Sequence, residues 1–517
     1  MSRARDEENA LALGIEPRST SPWSRLKTAV SDRLTDLRKL DSDAALQASM
    51  AAFIEAAGTR YAFEPGAQWR PGQPLKLLFA GYAGTRNTGA DVRVEEMIRQ
   101  TRHLLGDDLA DLSILTLDPA LTRGYFRTVK QIVMPQVFPK FVFDVVHGQH
   151  GVIACEGSMF KSKFASALAT LMVGALGVAA AENKLAVGWG GEAGKMDPTL
   201  EVLVRRYLGD AFILARNPES VDVLARLGVR AKSGTDTAWT FEPAPPAVGR
   251  QLLEDRGWDG STPILTICPI NPFWWPVKPD VARTAAWAAT GAWDDSHYSG
   301  PYFHKSGADV DAAQDRYIGA LAAAVRQFRS SHLVFPVIVG MEQLDRGACE
   351  ALAHALGGAP VIVSDEHDMY AMISVLRQSS LLLSSRYHAI VCTMPAGVPS
   401  VGVTMDERIR NLMADRGQPQ LALTVDQPDL AVAAHARLEE VWRDREATTF
   451  AIERCVSQNL VRMGRMGQWF VDHLRERHPE LPIDPRFGSH GDPLDHLPPP
   501  PPTVTALLER HPPEVRP

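Results

Sequence analysis

The sequence predicts an α/β protein built as two doubly wound domains that face each other across a cleft. Its length of 517 residues exceeds the roughly 250–300 residues at which a single hydrophobic core stops growing. From Lys76 onward, short apolar runs of strand length alternate with longer helix-like segments, the rhythm of βαβ units feeding a parallel sheet. That rhythm stops once, at residues 241–248, where Pro243, Pro245 and Pro246 read as an interdomain linker, and then resumes.

Taken in order, residues 1–70 form a charged, helical N-terminal extension, with apolar residues at helical spacing over 26–57. The N-terminal domain, 71–242, has expected strands at 77–81, 112–117, 152–155, 185–189 and 212–215. The C-terminal domain, 249–428, has them at 264–268, 333–339, 361–363, 381–384 and 400–403. Residues 287–308 are rich in aromatic and polar side chains and too long for an ordinary connection, which suits a lid or binding loop. Residues 429–480 read as helical. Residues 481–517, with consecutive prolines from Pro498 to Pro502, read as a disordered or polyproline-like tail that suits recruitment of a protein partner.

Composition narrows the function. Hydrophobic residues make up 45% and charged residues 22% of the chain, the balance of an ordinary globular protein. A net charge of −7 offers no basic field for a nucleic-acid backbone. Cys155, Cys268, Cys349, Cys392 and Cys455 lack the paired spacing of a zinc site, so thiols in a reducing compartment are expected and no metal. Residues 1–18 lack the apolar core of a secretory signal, which points to the cytoplasm. Residues 164–181 are uncharged and long enough to span a bilayer, but their alanines and glycines fit a helix packed on a sheet; no membrane span is expected.

Four segments carry candidate chemistry. Residues 81–89, GYAGTRNTG, follow a strand and precede a helix expected to begin near Asp91. Glycines there admit a close ligand, and a helix N-terminus favours phosphate or carboxylate; a plain tight turn is the alternative. Residues 155–163, CEGSMFKSK, lie at the carboxyl end of a strand, where open α/β sheets bind ligands. They offer Glu156 as a proton carrier and Ser158 as an anion contact or helix cap. In residues 213–220, ILARNPES, Arg216 leaves a strand as a helix starts at Pro218, and its planar guanidinium suits a clamp on an anion or a structural ion pair. In residues 384–403, Arg386 and His388 occupy a strand-to-helix junction, where one could fix an anion while the other moves a proton near neutral pH.

Together, in this order, the four segments resemble the polysaccharide pyruvyl transferase family. The matching residues are Asn87-Thr88-Gly89, Glu156-Gly157-Ser158, Arg216 to Ser220 with Leu227-Gly228-Val229, and Arg386-Tyr387-His388-Ala389 with Ala396-Gly397-Val398-Pro399. The resemblance covers about residues 76–418. Ala90 stands where the family usually has aspartate, Asp91 follows it, Glu156 replaces a glycine, and Asp406 with Arg408 look like the family's aspartate and lysine.

The resemblance implies two Rossmann-like domains in a GT-B-like arrangement and transfer of a pyruvyl group from phosphoenolpyruvate, a co-substrate, to two hydroxyls of a sugar or glycan acceptor. No other cofactor is implied. On this reading Arg216 and Arg386 bind the donor, helped by Gly84, Asn87, Gly89, Ser158 and Arg408. His388 serves as acid or base, with Glu156 or Asp91 as a second proton carrier. Trp293, His297, Tyr298 and His304 belong to an acceptor loop. A nucleotide-sugar glycosyltransferase would use the same cleft, and a non-catalytic binding protein of a glycan pathway would keep it without the chemistry.

Overall fold

The structure is a computed structural model and describes residues 42–291 and 300–513. The N-terminal sheet comprises β1 (Leu75–Ala83), β2 (Ala110–Thr116), β3 (Lys130–Val133), β4 (Gly151–Ala154), β5 (Leu185–Gly191), β6 (Phe212–Ala215) and β7 (Arg230–Ser233). They are ordered β3-β2-β1-β4-β5-β6-β7, and every pairing is parallel. Its central strands are buried along their length, which is why they read as unbroken apolar runs.

The C-terminal domain repeats this plan. After β8 (Ile264–Cys268), the short antiparallel pair β9 (Lys278–Pro279) and β10 (Tyr302–Phe303) lies outside the main sheet. The sheet continues with β11 (Phe335–Gly340), β12 (Val361–Val363), β13 (Leu381–Ser384), β14 (Ser400–Thr404) and β15 (Ala422–Thr424), ordered β12-β11-β8-β13-β14-β15 and parallel throughout. Strand order reverses between β1 and β4 in one half and between β8 and β13 in the other, and such switch points are where open sheets of this kind bind ligands. Two Rossmann-like domains meeting at a cleft are therefore what the chain forms.

The Ser166–Ala181 helix packs between the first sheet and the Ser42–Phe63 helix, with Gly174 against Met50 and Gly177 against Ile54. Small residues were selected by that close approach, and no helix among the described residues is long and apolar enough to cross a membrane. All five cysteines are buried, free thiols. The Ser42–Phe63 helix realises part of the expected N-terminal extension; residues 1–41 lie outside the described residues.

The C-terminal region departs from expectation. The Arg445–Arg477 helix begins on the C-terminal half, where Thr449 Oγ1 donates to Gly397 O at 3.0 Å. It ends on the N-terminal half, with the Phe470 ring 4.7 Å from that of Trp189. Residues 481–513, read from sequence as a disordered tail, instead fold onto this helix. Leu481, Ile483, Phe487, Leu497, Val504 and Leu507 are buried, Gln100 Nε2 donates to His496 O at 3.0 Å, and Pro502–Arg510 is helical. Prolines suppressed the periodic signal, but the apolar residues spaced among them supply a face worth burying.

Gly464, on the long helix, leaves no room for a Cβ: the nearest atom, Pro493 O, would lie 2.0 Å away. Gly464→Ala is therefore expected to lower unfolding stability by about 1–3 kcal/mol in urea titrations, whereas a detached tail would leave the variant neutral or more stable, since alanine favours helix.

Candidate functional site

The two switch points open onto one cleft of about 630 Å³ between the halves. From the N-terminal half it is lined by Gly84 and Asn87 after β1 and by Glu156 and Ser158 after β4; the C-terminal half adds Glu342, Arg386, Arg408 and His304. Seven sequence candidates thus converge on one space: Gly84, Asn87, Glu156, Ser158, His304, Arg386 and Arg408. Trp293, His297 and Tyr298 lie outside the described residues.

Arg216, His388, Asp91 and Gly89 sit one layer behind this wall. The common partner of Arg216 and His388 is Asp236, which follows β7 and is fully buried. Its Oδ2 lies 3.1 Å from Arg216 Nη2, 3.3 Å from Arg93 Nε and 3.4 Å from His388 Nε2. Burial alone would raise the Asp236 carboxyl, but Arg216, then Arg93 and His388, hold it well below the usual carboxylate range. Burial pulls the His388 imidazole below its ordinary value, against the pull of Asp236, so it is neutral at pH 7. Burial likewise opposes the Arg216 charge, but Asp236 and Glu192 more than restore it. Arg216 thus rests against carboxylates of its own domain and is not among the residues that line the cleft; Gly157, beside Glu156, packs on its guanidinium.

The glycine-containing loop also differs from expectation. The helix after it starts at Thr88, with Asn87 as its cap: Asn87 Oδ1 accepts from Ala90 N at 3.2 Å. Thr88 N donates to Met341 O of the other half at 2.9 Å, so one amide of this helix end is taken up by the C-terminal domain. Gly89 is required by close approach, since a Cβ there would meet His388 Nδ1 at 2.2 Å. Asp91 is fully buried, and neither carboxyl oxygen has a hydrogen-bond partner among the described residues. Burial above all, with Glu156 and Glu342 adding to it against Arg86, raises its pKa well above the ordinary carboxyl value, which favours the protonated form.

Arg386 does reach the cleft, but in two ion pairs: its Nη2 lies 2.9 Å from Glu342 Oε2, and Nε and Nη2 both bond the Asp345 carboxylate. Burial raises Asp345 to about 6 despite Arg386. Farther along, Arg408 pairs with Asp406 Oδ2 at 2.8 Å and lies 4.6 Å over the Phe164 ring. Phe164 and Trp275 meet edge to face at 5.3 Å, and His304 stacks on Trp274 at 4.1 Å. Sequence reasoning missed Asp236, Arg93, Asp345 and Trp275. Asp236 was hidden because β7 went unrecognised; an acid among small residues directly after a strand was the available signal.

The model of a family described as polysaccharide pyruvyl transferase matches residues 151–407. No curated protein matches the chain. Among solved structures, UDP-GlcNAc 2-epimerase from Neisseria meningitidis aligns at 10% identity and a TM-score of 0.46, covering 78% of this chain and 100% of that one. The UDP-GlcNAc 2-epimerase from Methanocaldococcus jannaschii aligns at 10% identity and a TM-score of 0.45, covering 70% and 92%.

Asp236 neutralises two buried guanidiniums, so Asp236→Asn is expected to cost about 3–5 kcal/mol of stability at pH 7. Because the folded carboxyl titrates below the unfolded one, its contribution is full above about pH 4 and fades as the pH falls further. Denaturant titrations of both proteins from pH 7 to pH 3 should therefore show the difference shrinking; a constant difference would contradict the charge assignment.

Proposed function

Residues 151–407 belong to the polysaccharide pyruvyl transferase family, and from that premise we propose that the cleft transfers the pyruvyl group of phosphoenolpyruvate to two hydroxyls of one sugar, forming a cyclic ketal. One observation carries this reading: the matched segment contributes to both walls of the cleft, Glu156 and Ser158 from one half and Glu342 and Arg386 from the other.

The reaction releases phosphate from the donor carbon, forms two carbon–oxygen bonds to the sugar, and converts the methylene to a methyl. Of the two hydroxyl protons, one balances the methyl and the other leaves with phosphate. Asp91, whose protonated form burial favours, is assigned as a proton store behind the cleft wall that feeds the methylene carbon, with cleft-facing Glu156 accepting from the hydroxyl. Neutral His388, held by Asp236, carries protons between the buried charges and the loop it packs against. Arg386 and Arg408 hold the carboxylate and phosphate of the donor, displacing part of their own carboxylate contacts. The rings of Phe164 and Trp275 offer flat faces to a sugar.

The test is phosphate release from phosphoenolpyruvate in the presence of candidate sugar acceptors, with the ketal identified by mass spectrometry. No phosphoenolpyruvate binding, together with tight binding of a nucleotide sugar, would sink the reading. His388→Ala is expected to lower kcat about 10²–10⁴-fold while calorimetry still detects the donor. Arg408→Ala should raise the donor KM about 10–100-fold, the loss of one charge-assisted contact.

A further inference from the structure

Arg386 is asked to hold an anion in the cleft, yet two acids of the same domain already use it. Its Nε–Nη2 edge faces Asp345: Nε donates to Oδ2 at 2.8 Å and Nη2 donates to Oδ1. Nη2 also donates to Glu342 Oε2 at 2.9 Å. Nη1 makes no hydrogen bond among the described residues and is not one of the polar atoms sealed from solvent. An oxyanion that docks side-on therefore takes the Nη1–Nη2 edge. In doing so it competes for the one nitrogen that serves both acids.

That loss falls mainly on Asp345. Its Oδ2 keeps the amides of Met341 and Glu342, at 2.9 and 3.2 Å, whatever happens to Arg386. Its Oδ1 has Nη2 of Arg386 as its one partner among the described residues. Glu342 lines the cleft, whereas Asp345 lies behind it and is 1% exposed, which leaves water little room to replace a lost donor. The other titratable groups that feel its charge are the thiols of Cys268 and Cys349 and the phenol of Tyr317. Burial pushes all three up, which keeps them neutral. Arg346, the next residue, is spent on Asp365 and Glu366. Even with Arg386 in place, burial brings the Asp345 carboxyl to about 6; drawing Nη2 away and adding a multiply charged anion moves it further in the same direction.

We propose that donor binding is coupled to protonation of Asp345: as the anion takes the Nη1–Nη2 edge of Arg386, one proton from solvent passes to Oδ1, while Oδ2 keeps hold of Nε. Asp345 is thus a positioning residue that acts through Arg386, and its charge depends on whether the cleft is filled. The claim rests on the pyruvyl-transfer reading for the identity of the anion. The extra proton is returned when the anion leaves, so it stands apart from the two hydroxyl protons of the transfer itself.

Calorimetry of phosphoenolpyruvate binding in buffers of different ionisation enthalpy counts the protons. At pH 7 the wild type is expected to take up about one proton more than Asp345→Asn, and from pH 7 to pH 8 its Kd should rise about tenfold more than that of the variant. Glu342→Gln should retain the uptake. Asparagine imitates the protonated acid, so at pH 8 Asp345→Asn should bind the donor at least as tightly as the wild type, an outcome that a mere anchor for Arg386 does not allow. Equal proton counts in the wild type and Asp345→Asn, or an uptake kept in Asp345→Asn and lost in Glu342→Gln, overturns the proposal and leaves the reaction standing. Absence of any phosphoenolpyruvate binding to the wild type sinks both. If the asparagine chain does not fold, infrared difference spectra of the wild type and Glu342→Gln decide: a carboxylic-acid band gained with the donor in both supports the coupling, and no gain overturns it.

Discussion

The structure depends on one carboxylate. Asp236 lies where the two halves meet, fully buried, with Arg93 and Arg216 of its own domain and His388 of the other around one oxygen. A buried acid in that position must be compensated, and the compensating groups are drawn from three different chain segments. Arg93 in turn donates to Cys155 O at 3.3 Å and Gly190 O at 2.7 Å, fastening the ends of β4 and β5. Arg216 brings in Glu192, whose carboxylate also holds Lys161; Lys161 reaches across to Glu407 of the C-terminal half. The wall that carries Glu156 and Ser158 is thus positioned from behind by charges that do not line the cleft.

This layering explains which parts were legible in the sequence. The central strands announced themselves because they are buried on both faces and almost wholly apolar. Three strands of the two main sheets were missed, β3, β7 and β15, and each is an edge strand of its sheet: KQIV and RAKS hold too few apolar residues to form a run, and ALT is too short to stand out. Missing β7 hid Asp236. Arg386, His388 and Arg216 could be singled out because they stand at strand ends, yet a sequence cannot say whether such a side chain turns toward a ligand or toward an acid of its own fold. For Arg216 the outcome was Asp236 and Glu192; for Arg386 it was both, a place on the cleft and two internal carboxylates.

The same limit applies to the loop at 84–89. Glycines and a following helix are compatible with an open anion cradle or with a tight interdomain contact, and only the fold decides. Here Gly89 makes room for His388, and Thr88 spends its amide on Met341 of the facing half. Proline misled in a complementary way: the C-terminal segment looked unfit for structure because the apolar residues that anchor it do not recur at a regular period.

The long Arg445–Arg477 helix carries a mechanical consequence. The backbone passes between the halves at residues 241–248 and returns along this helix, whose beginning rests at Gly397 and whose end rests at Trp189. Two bodies tied at two places can pivot about the line joining the ties, but they resist sliding and twisting past each other. Any hinging about that line would have to work against the contacts that also join the halves, Asp236 with His388, Lys161 with Glu407 and Thr88 with Met341.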